Sequence, residues 1–325
     1  MGGLVRRIGE AFRRVDRRFQ AVEARHSLVL LRYSLAFVML WYGFAKPLGI
    51  SPADAVVRPT FQAMPILPLV MSWEVFFDLL GVFEGTVGLL LLFRRTVRIA
   101  VGLLAMQMAS TFAPFVVAPG LVWTVAPFVP TTIGLYIVKN FVLATSGFVL
   151  ATTVRPSGST AGFETKHTMG WLRIGIAIAF VWSGLLTVAV SSKPGLWMAA
   201  AIPESMIAQE VFIGLLGVLE VLIGIYAISG TKRTRHLASY LALAYLVVSL
   251  LPAVVLPGNV FVTLPIEPSF EGVYIFKDLV LVSSVLVVDA YHSFEWDQAN
   301  STAPTHRFDP FHYPDSDSQA READD

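Results

Sequence analysis

Two glutamates and two lysines of this 325-residue chain stand where a charge is costly. Glu84 and Glu220 fall deep inside apolar runs, about 10–12 residues into them, which is roughly 15–18 Å at 1.5 Å per residue. Lys139 and Lys277 lie several residues inside two other apolar runs. If these runs cross a bilayer, each such charge costs about 2.5–3.5 kcal/mol, so the groups must pair or face an internal cavity. The spacing predicts one cluster per half, Glu84 with Lys139 and Tyr136, and Glu220 with Lys277 and Tyr274. Each tyrosine precedes its lysine by three residues and shares its helix face. Two readings stand: a polar site for a quinone, an anion or protons, or a structural ion pair that fixes helix register.

Arg32 and Arg173 lie about one turn inside their runs, suited to snorkelling toward lipid phosphate or to pairing with Glu84 or Glu220. Lys46 closes Trp41-x-Gly43-x-x-Lys46. Glu74 and Glu210 belong at span ends, and Asp78 stands alone. Other chemistry is excluded. There is no cysteine, which removes thiolate catalysis and iron–sulfur ligation. The histidines (His26, His167, His236, His292, His306, His312) fall at or beyond span ends, not at mid-span where haem ligation would need them. No phosphate loop, dinucleotide fingerprint or HExxH helix is present. No residue is assigned to catalysis or to a metal, and any electron transfer would need a partner.

The elements that must position these groups follow from composition. With 55% hydrophobic and 14% charged residues and a mean hydropathy of +0.66, the chain is outside the range of a soluble globular protein. Apolar runs at 28–45, 73–93, 99–118, 132–152, 171–190, 207–228, 237–257 and 273–290 predict an all-α polytopic membrane protein of eight transmembrane helices. Of the Lys and Arg residues outside the runs, 17 fall on the side of the termini and three (Lys46, Arg58, Lys193) on the other. The positive-inside rule then places both termini in the cytoplasm and the protein in the plasma membrane. Residues 1–27 read as a basic amphipathic helix, not a signal peptide. Leu4, Val5, Ile8, Phe12, Val15, Phe19 and Val22 form one face and arginines the other, suited to an anionic inner leaflet. Residues 293–325 turn polar and acidic and read as a disordered tail, its segment His306–Asp315 included. Nothing points to nucleic acid.

The chain also repeats itself. His26-x5-Arg32 matches His167-x5-Arg173, Trp41-x-Gly43 matches Trp182-x-Gly184, and Gly81-Val-x-Glu84 matches Gly217-Val-x-Glu220. Pro114, Pro119-Gly120, Pro127 and Pro130 match Pro252, Pro257-Gly258, Pro265 and Pro268; Tyr136-Ile-x-Lys139 matches Tyr274-Ile-x-Lys277. This predicts two four-span modules, 28–152 and 171–292, joined by a linker at 153–170 and packed as two parallel-repeat four-helix bundles. The Pro-rich segments 114–130 and 252–268 are expected to cap the bundle externally. Thr187 stands where the first copy has Lys46.

The Arg in span 1, Trp41-x-Gly43-x-x-Lys46, Gly81-x-x-Glu84-x-x-x-Gly88 and Tyr136-x-x-Lys139-Asn140 resemble the DoxX-like superfamily, in particular its reactive-chlorine-resistance branch. The resemblance implies a four-helix membrane module, here in tandem, and a link to quinone-coupled oxidation, oxidative-stress complexes or membrane-protein assembly. It implies an accessory or quinone-interacting subunit with a protein partner in the membrane; the alternative is a non-enzymatic scaffold, assembly factor or small-solute carrier.

Overall fold

A computed structural model describes residues 2–125, 129–153, 162–190, 193–203, 206–229, 231–263 and 267–299. Arg155 of the linker and the His306–Asp315 segment of the tail lie outside the described residues, as do the side chains of Leu4, Val5, Ile8 and Phe12. In chain order the first half contains α1 (Gly2–Ala45), α2 (Asp54–Ala63), α3 (Leu67–Val70), α4 (Trp73–Leu92), α5 (Val97–Thr111), α6 (Pro114–Val117), α7 (Pro119–Val122), β1 (Trp123–Val125), β2 (Val129–Pro130) and α8 (Thr132–Thr153). The second contains α9 (Gly162–Val190), α10 (Lys193–Ala199), α11 (Gln209–Ile228), α12 (Lys232–Val255), α13 (Pro257–Val260), β3 (Phe261–Thr263), β4 (Glu267–Pro268) and α14 (Phe270–Ala299).

Among the described residues, seven helical stretches are long and apolar enough to cross a membrane: Arg13–Ala45, Trp73–Leu92, Arg94–Val117, Thr132–Thr153, Thr165–Ala189, Gln209–Ile228 and Lys232–Val255. They coincide with the first seven expected spans. The eighth, within α14, is not among them; Lys277, Asp278 and Asp289 break its apolar run. These three side chains are nevertheless buried, because α14 runs through the interior of the bundle. Outward faces of the other helices expose Leu79, Val82, Ile99, Met106, Leu215 and Val247, an apolar surface suited to lipid.

Two helix ends lie beyond the expected segment boundaries. The N-terminal segment is not a separate interfacial helix: α1 is one helix of 44 residues, with neither Gly nor Pro between Glu10 and Gly43 to break it. Phe19 turns inward and stacks on Tyr240 at 4.7 Å, whereas Val15 and Val22 stay exposed. At the other end α14 continues past residue 293, as far as Ala299.

The packing also differs from two self-contained bundles. α1 packs on α4, α4 on α5, α5 on α8, α8 on α9, α9 on α11, α11 on α12, α12 on α14, and α14 back on α1. The contacts thus close one ring, with α14 also touching α8 and α9. The fourth long helix of each half packs more extensively on the first helix of the other half than on its own. Leu31, Leu35, Leu104, Leu143, Ile176, Phe180 and Val285 fill the shared core. At its centre, Ser146 Oγ on α8 and Ser284 Oγ on α14 are 2.8 Å apart. The Pro-rich segments satisfy their backbone with short helices and two small antiparallel hairpins, one pairing Trp123 with Pro130 and the other Phe261 with Pro268.

Candidate functional site

Glycine brings α1 and α4 into backbone contact. A Cβ added to Gly43 would lie 2.3 Å from the Gly85 nitrogen, and one added to Gly81 would lie 2.7 Å from the Gly43 oxygen. Such an approach admits no side chain, the small-residue logic of close helix pairs. One turn beyond Gly43, Lys46 therefore reaches Glu84, and its ammonium donates to Glu84 Oε2 and to the Tyr42 carbonyl, the latter at 3.2 Å. Gln107 on α5 donates to Glu84 Oε1 at 2.6 Å. Gly184 and Gly217 bring α9 and α11 together in the same way. There Glu220 accepts from Ser183 Oγ at 3.0 Å and Thr187 Oγ1 at 3.2 Å, two neutral hydroxyls in place of an ammonium.

The lysines cross between halves. Lys139 on α8 donates to Asp278 Oδ1 on α14 at 2.5 Å and lies 3.5 Å from the centre of the Tyr274 ring. Lys277 on α14 donates to Asn140 Oδ1 on α8 at 2.5 Å and to the Tyr136 carbonyl at 3.2 Å, and lies 3.1 Å from the centre of the Tyr136 ring. The two Tyr-x-x-Lys-(Asn/Asp) stretches thus clasp each other. The expected pairings of Glu84 with Lys139 and of Glu220 with Lys277 are not the ones formed. The reason is the exchange of α8 and α14, which aims each lysine at the opposite half. Tyr245 on α12 donates to Asp278 Oδ2 at 3.3 Å and completes the second cluster.

Among the described residues, the partners of Glu84 and Glu220 include neither Arg32 nor Arg173. Arg173 donates to the carbonyls of Ala227, Ile228 and Ser229, binding the C-terminal end of α11 where the helix dipole favours a cation. Arg32 lies over the Tyr33 ring at 4.9 Å. Glu74, Asp78 and Glu210 are exposed. Gln107, Asn140, Ser183, Tyr245 and Asp278 belong to the clusters without having been singled out. Their signal was present: a polar residue within an apolar run, and Asn or Asp directly after each repeated lysine.

The first cluster opens on a cavity of about 110 Å³. Tyr42, Lys46, Glu84, Gln107, Asn140 and Lys277 supply its polar wall; Met39, Val56, Phe61 and Met64 are among its apolar side chains. Among the described residues, no carboxylate lies within 4.0 Å of the Lys277 ammonium. The cavity therefore presents two lysine amines, one carboxylate and amides that can donate or accept, an arrangement with donors for an acceptor oxygen on an otherwise apolar molecule. No protein-family model, curated protein or solved structure matches the chain.

Proposed function

We propose that the chain is an eight-span integral protein of the plasma membrane with both termini in the cytoplasm. In this reading it is a duplicated DoxX-like module, and its first-half cavity binds the head group of a lipoquinone for a membrane redox or stress-defence complex. The observation that carries the binding reading is Lys277, a buried amine held by neutral groups at the wall of a mostly apolar cavity. A quinone carbonyl can accept from it, and an isoprenoid tail matches the apolar side. The contact of Ser146 with Ser284, equivalent positions of the repeat, supports a pseudo-two-fold axis between α8 and α14. The burial of the α14 charges supports counting it as the eighth span.

Purification in mild detergent followed by solvent extraction tests the ligand. The wild-type chain should retain lipoquinone above the detergent background, whereas Lys277→Met and Asn140→Asp should lose it, the latter by giving the ammonium an internal carboxylate. Equal retention in all three, or none in the wild type, would overturn the reading. Reporter fusions at residues 60 and 162 should report opposite sides, and a fusion after residue 325 should match 162. A second reading, a scaffold, assembly factor or solute carrier with structural charges, is favoured by the Lys139–Asp278 pair, whose groups are already satisfied.

A further inference from the structure

Away from the cavity, at the end of the bundle where α1 meets the start of α12 and the later turns of α14, three ligand-type side chains converge from three helices. One ligand atom from each of Glu23, His236 and Asp289 lies within 4.8 Å of the other two. Glu23 is 5% exposed and Asp289 1%, yet among the described residues Glu23 Oε1 and Asp289 Oδ1 have no hydrogen-bond partner. Leaving a carboxylate oxygen dry and unpartnered is costly.

We propose that Glu23, His236 and Asp289 bind a divalent transition-metal ion, with zinc as the probe. One imidazole nitrogen and two carboxylate oxygens form a mixed donor set that zinc accepts at about 2.0–2.2 Å, leaving a fourth position for water. The imidazole is already oriented for this. Its Nε2 lies 2.7 Å from Asp16 Oδ1, and Tyr240 donates to the same oxygen at 3.0 Å. With the Nε2 proton directed at Asp16, Nδ1 is left to face the ion; this nitrogen lies 2.6 Å from Asp289 Oδ2. That is the carboxylate–histidine–metal arrangement, in which the outer carboxylate fixes the tautomer. Phe19 lies tilted beside the ring, with centroids 5.6 Å apart. The ion would replace the proton between His236 and Asp289 and clamp the N-terminal part of α1 to α12 and α14. The site is independent of the quinone reading, since it shares no residue with the cavity.

The test uses the full chain in mild detergent, stripped with a chelator and titrated with zinc by calorimetry, with magnesium as the control. Because tail histidines could bind zinc adventitiously, the titration is repeated with His306→Ala and His312→Ala combined. The expected result is one zinc per chain, unaffected by the tail changes, and a rise in thermal unfolding temperature. Affinity should fall at least about 10-fold in Glu23→Gln and Asp289→Asn, and by about 10–100-fold in Asp16→Asn, which removes an outer carboxylate. Asp16 is only partly buried, so Asp16→Asn keeps the test valid if the core variants do not fold. Zinc binding that disappears with the tail changes, survives Asp16→Asn undiminished, or never occurs in the folded wild type would overturn the proposal. The last outcome would mean that protons, not a metal, neutralise the carboxylates.

Discussion

The two polar clusters are built on equivalent positions and carry opposite balances of charge. Around the cavity stand Lys46, Lys277 and Glu84, with Asn140 and Gln107 neutral. In the other cluster stand Glu220, Asp278 and Lys139, with Thr187 and Tyr245 in place of Lys46 and Gln107. Two changes, Lys46 against Thr187 and Asn140 against Asp278, convert an excess of cation into an excess of anion. Helix packing fixes where the polar groups lie; the identity of a few residues decides whether they saturate one another or leave a group for something else. In the second cluster Lys139 and Asp278 saturate each other, whereas in the first Lys277 meets only neutral groups.

That contrast can be broken most forcefully at the lysines. Lys139→Met strands Asp278 as a buried charge and should cost about 3–5 kcal/mol. Lys277→Met strands only an amide oxygen and should cost about 1–3 kcal/mol. Reversible unfolding in detergent measures both, and equal losses would show that the clusters are energetically alike. Next in size is Gly43→Ala, which forces α1 off α4 and should cost about 1–3 kcal/mol while parting Lys46 from Glu84. Gly85→Ala is the sharpening control: a Cβ there meets nothing within 4 Å, so the change should stay within about 0.5 kcal/mol. If the two alanines behave alike, glycine contact is not what sets the Lys46–Glu84 pair. The smallest effect is expected for Ser146→Ala, about 1 kcal/mol for the hydroxyl contact with Ser284.

The sequence makes the repeated core of each cluster legible but neither its full membership nor its pairing. Glu84, Lys139 and Tyr136 recur as Glu220, Lys277 and Tyr274, so their burial follows from the cost of a charge in an apolar run. Which lysine meets which carboxylate does not follow. When two copies of one motif share a chain, a helix can pack within its own copy or exchange with the other, and the side-chain pattern is satisfied either way, as in domain swapping. The hydrophobic period fixes a buried face and leaves its partner open. The same limit hides the Glu23–His236–Asp289 group, whose members lie on three helices far apart in sequence. The length of α1 was hidden for another reason: a basic amphipathic stretch and a span share one helical period, and nothing between Glu10 and Gly43 marks where one ends.

The meeting of Ser146 with Ser284 bears on ancestry. If an ancestral half-length chain paired with a second copy of itself, those two hydroxyls would have been one residue touching its own image, and every substitution would have struck both sites at once. Symmetry of that kind forbids one site from becoming acidic while its twin becomes basic. Joining the copies end to end lifts that constraint, and Asn140 facing Lys277 beside Asp278 facing Lys139 is the freedom it gives.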